Sequence, residues 1–383
     1  MPVVMCSRKF RATIMFKKFW TRLAFFSVIL PGFAFSARAL IFNVTYDASV
    51  TSLPNAAQIE TAFGIATQTI QALYTNASSV NVTVFFSSDV ALGESDGNYV
   101  GSGSFLYPQL KAVLSAARTT AADSNSVASL PANDPTSGAW YVARAEAKAL
   151  ELSSLTFSNI FRLNPRDTIS DGSITFASTV SYNFDPTNRA AVFTNYDFIG
   201  VAEHELTEVM GRSTFDLSSD YVPYDLFRFT AAGARSLDAN DSNVYFSTDN
   251  GTTVLKYFNP NNGGDIQDWA DSASPDSFDA FLSTSAIGRL TAADLATLDV
   301  IGYALNFAKP RLTGGRLTNG NFKIGFTNVT GLNFSVLATT NLSMSVSNWT
   351  NLGPPLESPA GQYQITDTQA ATSAIRFYRV RLN

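Results

Sequence analysis

The chain has 383 residues, 45% of them apolar and only 15% charged, with a formal net charge of −5. That composition supplies ample core for one large or two modest domains. With no basic cluster after residue 40, it argues against nucleic acid as a partner.

The first 39 residues carry Arg8, Lys9, Arg11, Lys17, Lys18 and Arg22, then the apolar run LAFFSVIL (23–30), a Pro-Gly break and Ala37-Arg38-Ala39. These are the three regions of a secretory signal peptide, with cleavage after Ala39. Even 23–35 is short of the roughly 20 residues that span a bilayer. The expected product is therefore secreted or periplasmic, soluble and monomeric. The sole cysteine, Cys6, leaves with the signal, so the mature fold relies on its core and on bound ions rather than on disulfides.

Residues 40–46 (LIFNVTY) read as a strand, Ile59, Phe63, Ile70, Leu73 and Tyr74 as one face of a helix, and 80–86 (VNVTVFF) as a second strand. That order predicts a βαβ unit. Helices are predicted over 107–118 and 140–152, with a surface loop (121–138) between them. Strands follow at 157–163 and at 172–181, where Ile174 and Phe176 alternate. The latter reads either as an ordinary sheet strand or as one that could take up an extended peptide.

The central stretch is 194–216, TNYDFIGVAEHELTEVMGRSTFD, with a helix predicted over 194–211. Ile199, Ala202, Leu206 and Val209 recur at helical spacing and form a packing stripe, while His204 and Glu208, four apart, share another face with Glu205 beside it. In the zincin motif H-E-x-x-H, two ligands one turn apart hold a metal and the Glu between them is the general base. Here Glu208 stands where the second His would be. The plainer reading is a solvated polar face bearing Glu203, Glu205 and Glu208. Two features favour the metal: His204 is the only histidine in the chain, and Gly211 ends the helix.

Beyond it, Asn250-Gly251 marks a hairpin turn within 244–258. Asp238, Asp241, Asp249, Asp265, Asp268, Asp271, Asp276 and Asp279 crowd the surrounding loops. They are either turn formers or oxygen ligands for Ca²⁺. A last helix over 291–301 opens with Thr291 and Asp294 as a cap pair. After a boundary at 307–315, short β-rich runs predict a small all-β sandwich module over 310–383.

Taken together, DGSITF (171–176), YDFIGVAEHELTEVMGR (196–212), YDLFRF (224–229), VYFSTDNGTT (244–253), GGDIQDWA (263–270) and LTAADLATLDVIGY (290–303) give residues 40–306 a pattern that resembles secreted bacterial zincin-like, metzincin-like metalloproteases. The resemblance implies an α+β architecture, a zincin-like catalytic domain with the β-sandwich as accessory module. It also implies a zinc-dependent metalloendopeptidase that hydrolyses protein or peptide substrates through a metal-activated water. Carried over by position, His204 and Glu208 are metal ligands and Glu205 the general base. In metzincin-like proteins a further ligand follows Gly211 at the position Thr214 holds here, so Asp216, the nearest carboxylate, is the expected third ligand, with Asp225 its competitor. Tyr221 or Tyr224 would steady the oxyanion. The alternative is a catalytically inactive zincin-like binding protein.

Overall fold

A four-stranded mixed sheet carries the site, and its order explains how. The computed structural model describes residues 39–152, 163–189, 193–215, 217–270 and 275–383, the side chains of 101–105 excepted, so the expected signal peptide, all but Ala39, lies outside the described residues. Strands Ile41–Tyr46, Ser79–Ser87 and Gly172–Ala177 run parallel, and Gly93–Gly97 closes the far edge antiparallel to Gly172–Ala177. Val80, Val82, Val84, Ile174 and Phe176 are buried in this sheet. Helix Ala56–Leu73 connects the first two strands, as the βαβ pattern predicts, and buries Ile59, Phe63, Ala66, Ile70 and Leu73 at three- and four-residue spacing.

The strand predicted over 172–181 is thus interior, with partners on both sides. Its backbone groups are already bonded, so it cannot add a peptide. The edge belongs to Gly93–Gly97, whose sequence, Gly-Glu-Ser-Asp-Gly, carries no strand signal of its own and is held by pairing alone.

Two further predictions need correction. Residues 140–152 are not one helix: strand Ala139–Ala143 pairs with Tyr99–Phe105 and Asp220–Tyr221 before a short helix, Arg144–Ala149, begins. The Trp-Tyr-Val core of that strand favours extension over a helical turn. The predicted loop 121–138 opens with helix Ala121–Ala128, nucleated by the Thr120 hydroxyl accepting from the Asp123 amide at 3.0 Å. Of the strand predicted over 157–163, all but Leu163 lies outside the described residues. The hairpin forms, with Tyr245 opposite Tyr257 and Asn250 and Gly251 at φ 60° and 77°.

The site helix, Phe198–Val209, packs against helix Ala56–Leu73 and lies beneath the Gly93–Gly97 edge. It starts four residues later than predicted, because Tyr196–Asp197 is a short strand paired with Tyr182–Asn183. Asp197 leads into the helix and is tied to Arg189, whose Nε donates to Oδ1 at 3.1 Å. Gly211, at φ 112°, turns the chain out of it. A side chain at Gly211 would also collide with Glu146 Oε2, 2.7 Å from an added Cβ. The last helix, Ala292–Val300, is capped reciprocally by Thr291 and Asp294.

From residue 313 on, all strands are antiparallel. Thr313–Arg316, Phe322–Thr327, Gln362–Asp367 and Leu356–Glu357 form one sheet; Thr350–Gly353, Phe334–Thr339 and Phe377–Leu382 form the other. Aromatic pairs such as Phe322–Tyr378, 5.3 Å between ring centres, join the two. Arg289 Nη1 to Glu357 Oε2 at 2.8 Å ties this unit to the segment before the last helix, and Ala292 N to Asn383 O at 2.6 Å ties it to the helix itself. Among the described residues no helix is long and apolar enough to cross a membrane. The chain is a mixed α+β protein.

Candidate metal centre

The packing stripe predicted on the site helix is fully buried: Ile199, Ala202, Leu206 and Val209 are each at most 1% exposed. The opposite face is buried as well, with Glu203 at 0%, Glu205 at 5% and Glu208 at 6%. Such a face is not a solvated one. Buried carboxylates need partners: Glu203 Oε2 accepts from Ser277 Oγ at 3.0 Å, and Glu208 is bonded at both of its oxygens.

His204 is oriented from behind. Its Nδ1 lies 2.8 Å from the Ser277 carbonyl oxygen, which can only accept, so Nδ1 carries hydrogen and Nε2 faces the carboxylates. Nε2 stands 3.4 Å from Glu208 Oε1 and 3.3 Å from Asp268 Oδ1. The donor atoms of His204, Glu208 and Asp268 all fall within 4.8 Å of one another, the one such group among the described residues. Ser95, on the edge strand, donates to Glu208 Oε2 at 2.9 Å, and Gln267 donates to Oε1 at 3.0 Å.

Arg212 lies behind both carboxylates, with Nη1 2.5 Å from Asp268 Oδ1 and Nη2 3.4 Å from Glu208 Oε1. It also donates to the His204 carbonyl at 3.2 Å and to Thr207 Oγ1 at 3.0 Å, and stacks 4.2 Å over the Phe278 ring. The group is a closed charge pattern: two anions, one guanidinium and one imidazole. Burial opposes a charge on His204, but Asp268 and Glu208 outweigh it and hold the imidazole pKa well above its ordinary value against the opposing Arg212. Burial would raise Glu208, yet His204, Arg212 and the Gln267 bond bring it down to about 2. Glu205 goes the other way, pushed well up by burial and then by the Glu208 charge beside it.

Do these residues suit zinc? The donor set of one imidazole nitrogen and two carboxylate oxygens is one zinc accepts, the second ring nitrogen is anchored as in metal-ligating histidines, and the first holds a proton that a cation would displace. The set fits. Arg212 already supplies one positive charge to the same carboxylates, which must weaken the hold on a further cation.

The group opens into a polar cleft of about 460 Å³ lined by Gly93, Glu94 and Ser95 of the edge strand and by Tyr99, Tyr196, Glu205 and Gln267. Gly93 is there by necessity: a Cβ would sit 2.3 Å from Glu205 Oε1 and 2.9 Å from Val201 Cγ1. Comparison with family models, with curated proteins and with solved structures gives no match for the chain.

His204, Glu205 and Glu208 therefore stand together as the sequence predicts. Asp216 lies outside the described residues. Its competitor Asp225 is turned away: it accepts from Thr214 Oγ1 at 2.5 Å and from the Val222 amide at 2.9 Å, inside a 3-10 turn. Asp268 is the third member of the group, 60 residues beyond Glu208, and no local spacing could have marked it. Tyr224 is fully buried and neither it nor Tyr221 lines the cleft; Tyr99 and Tyr196 do. Of the other aspartates, Asp238 and Asp249 cap turns and Asp276 pairs with Lys256, while Asp271 lies outside the described residues.

Proposed function

We propose that this chain is a secreted zinc-dependent metalloendopeptidase of zincin-like build, with the C-terminal sheets as a β-sandwich accessory module. The observation that carries the reading is the convergence of His204, Glu208 and Asp268 at the base of a polar cleft, with Glu205 on the same wall. His204, Glu208 and Asp268 would hold the ion. Bound zinc supplies a Lewis acid that polarises a peptide carbonyl and acidifies water.

The chain's own residues supply the rest. The Gly93–Gly97 edge presents unpaired backbone groups along the cleft, where an extended peptide can add as a further strand. Glu205, on the cleft wall beside the cluster, takes a proton from the attacking water when its carboxylate is ionised and returns it to the leaving nitrogen. Tyr99, held by its hydroxyl to Ser213 Oγ at 2.9 Å, and Tyr196 line the cleft, and their phenols would be the groups to steady the oxyanion. Ser95 and Gln267 fix the two oxygens of Glu208 so that its carboxylate stays aimed at the cluster.

Digestion of an unstructured protein by the mature chain tests the proposal. Cleavage should stop with a chelator and be absent in Glu205→Gln; cleavage that survives both would rule the enzyme out. One observation favours a second reading, an inactive zincin-like binding protein: Arg212 compensates the carboxylates without any metal. In that case the purified chain would hold no stoichiometric zinc.

A further inference from the structure

A second cavity, of about 390 Å³, lies where the last helix meets the C-terminal sheets. Its walls are apolar: Leu295 from the helix, Leu305 and Phe307 from the connecting segment, Phe334, Val380 and Leu382 from the sheet. Its rim is cationic. Lys309, Arg379 and Arg381 line it, and no Asp or Glu does. Among the described residues neither Lys309 nor Arg379 has a carboxylate within ion-pair distance, and Arg381 reaches only the Asn383 amide oxygen, at 3.4 and 3.3 Å.

The strand explains why both characters meet here. Phe377–Leu382 is the outer strand of its sheet, and side chains alternate along it, so Arg379 and Arg381 leave by one face and Val380 and Leu382 by the other. A cavity wrapped round that edge touches both sets. In an acidic protein of net charge −5, three cations gathered without acidic partners at the mouth of an apolar cavity form a complementary surface for one kind of molecule.

We propose that this junction cavity binds a single-chain amphiphile with a carboxylate head, a fatty acid being the simplest. The volume is at the small end for ligand sites, which suits one acyl chain rather than two. The chain lies against Leu295, Phe307, Phe334 and Val380, and the head stays at the rim, where arginine can grip a carboxylate with two parallel hydrogen bonds. Because the walls come from both units of the chain, the ligand would also brace their junction.

The test is calorimetric titration of the full mature chain with dodecanoate below its micelle concentration, with chelator present so that the metal centre plays no part. We expect one saturable site, weakened about tenfold or more in the double variant Lys309→Glu, Arg379→Glu, as loss of charged hydrogen bonds requires. Ala292→Trp, which fills the cavity from an exposed position, should abolish binding while leaving the thermal midpoint of the free protein in place. Dodecyltrimethylammonium is the counter-probe and should not bind. Absence of saturable heat, equal binding of the cationic amphiphile, or binding indifferent to both variants would overturn the assignment.

Discussion

Arg212 stands where its removal separates a metal centre from a purely structural charge cluster. Its guanidinium contacts both Asp268 and Glu208 and is itself fully buried. Replacing it by methionine keeps the volume and deletes the charge. In the metal-free protein two buried carboxylates would then share only the charge of His204, and breaking a buried pair in this way costs about 3–5 kcal/mol. A divalent ion returns the missing charge. At an effective dielectric of about 20, unit charges 4 Å apart interact by roughly 4 kcal/mol, so zinc should stabilise Arg212→Met by about 2–4 kcal/mol more than it stabilises the parent. That corresponds to roughly 30- to 1,000-fold tighter binding. Urea unfolding of both proteins, each with chelator and with excess zinc, reads all four corners of the cycle. Should the variant fail to fold under chelator, zinc-dependent refolding takes the place of the weakest corner. Equal zinc increments in parent and variant would refute the idea that Arg212 and the ion compete for the same carboxylates.

Other outcomes follow from the same geometry. Asp268→Asn should weaken zinc binding by about 10- to 100-fold, the scale for a disturbed metal site, whereas Asp225→Asn should leave it unchanged; calorimetric affinities compare them. Gly93→Ala should push the Glu205 carboxyl aside, lowering proteolysis at least about tenfold while zinc content stays the same, as paired activity and metal assays would reveal. Burial lifts Asp299 to about 7 and Asp123 to about 6, both from 3.8. A carboxyl raised on folding keeps its proton where the unfolded chain has lost it, so stability is greatest below about pH 4 from these groups and declines as pH rises toward 7. Asp299→Asn keeps an acceptor for Thr120 Oγ1 and should flatten the fall in thermal midpoint between pH 5 and pH 8; an unchanged profile would contradict the assignment.

Much of the centre was legible because helix periodicity is a local property. Ile199, Ala202, Leu206 and Val209 announced a buried stripe, and the same 3.6-residue repeat put His204 beside Glu208. Asp268 was visible only as one aspartate among eight, because what sets it apart is a tertiary contact with Arg212 and His204. The edge strand was illegible for a related reason: Gly-Glu-Ser-Asp-Gly reads as a turn, and only the register with Gly172–Ala177 extends it. Helix Ala121–Ala128 was hidden by serines and an asparagine that suit a loop equally well, although Thr120 was in place to cap it.

Elemental analysis of zinc in the purified mature chain, before and after His204→Ala, bears most directly on the centre. One zinc per chain in the parent, lost in the variant, is the result we expect. A parent without stoichiometric metal, or a variant that retains it, would leave His204, Glu208 and Asp268 as a structural ion network and nothing more.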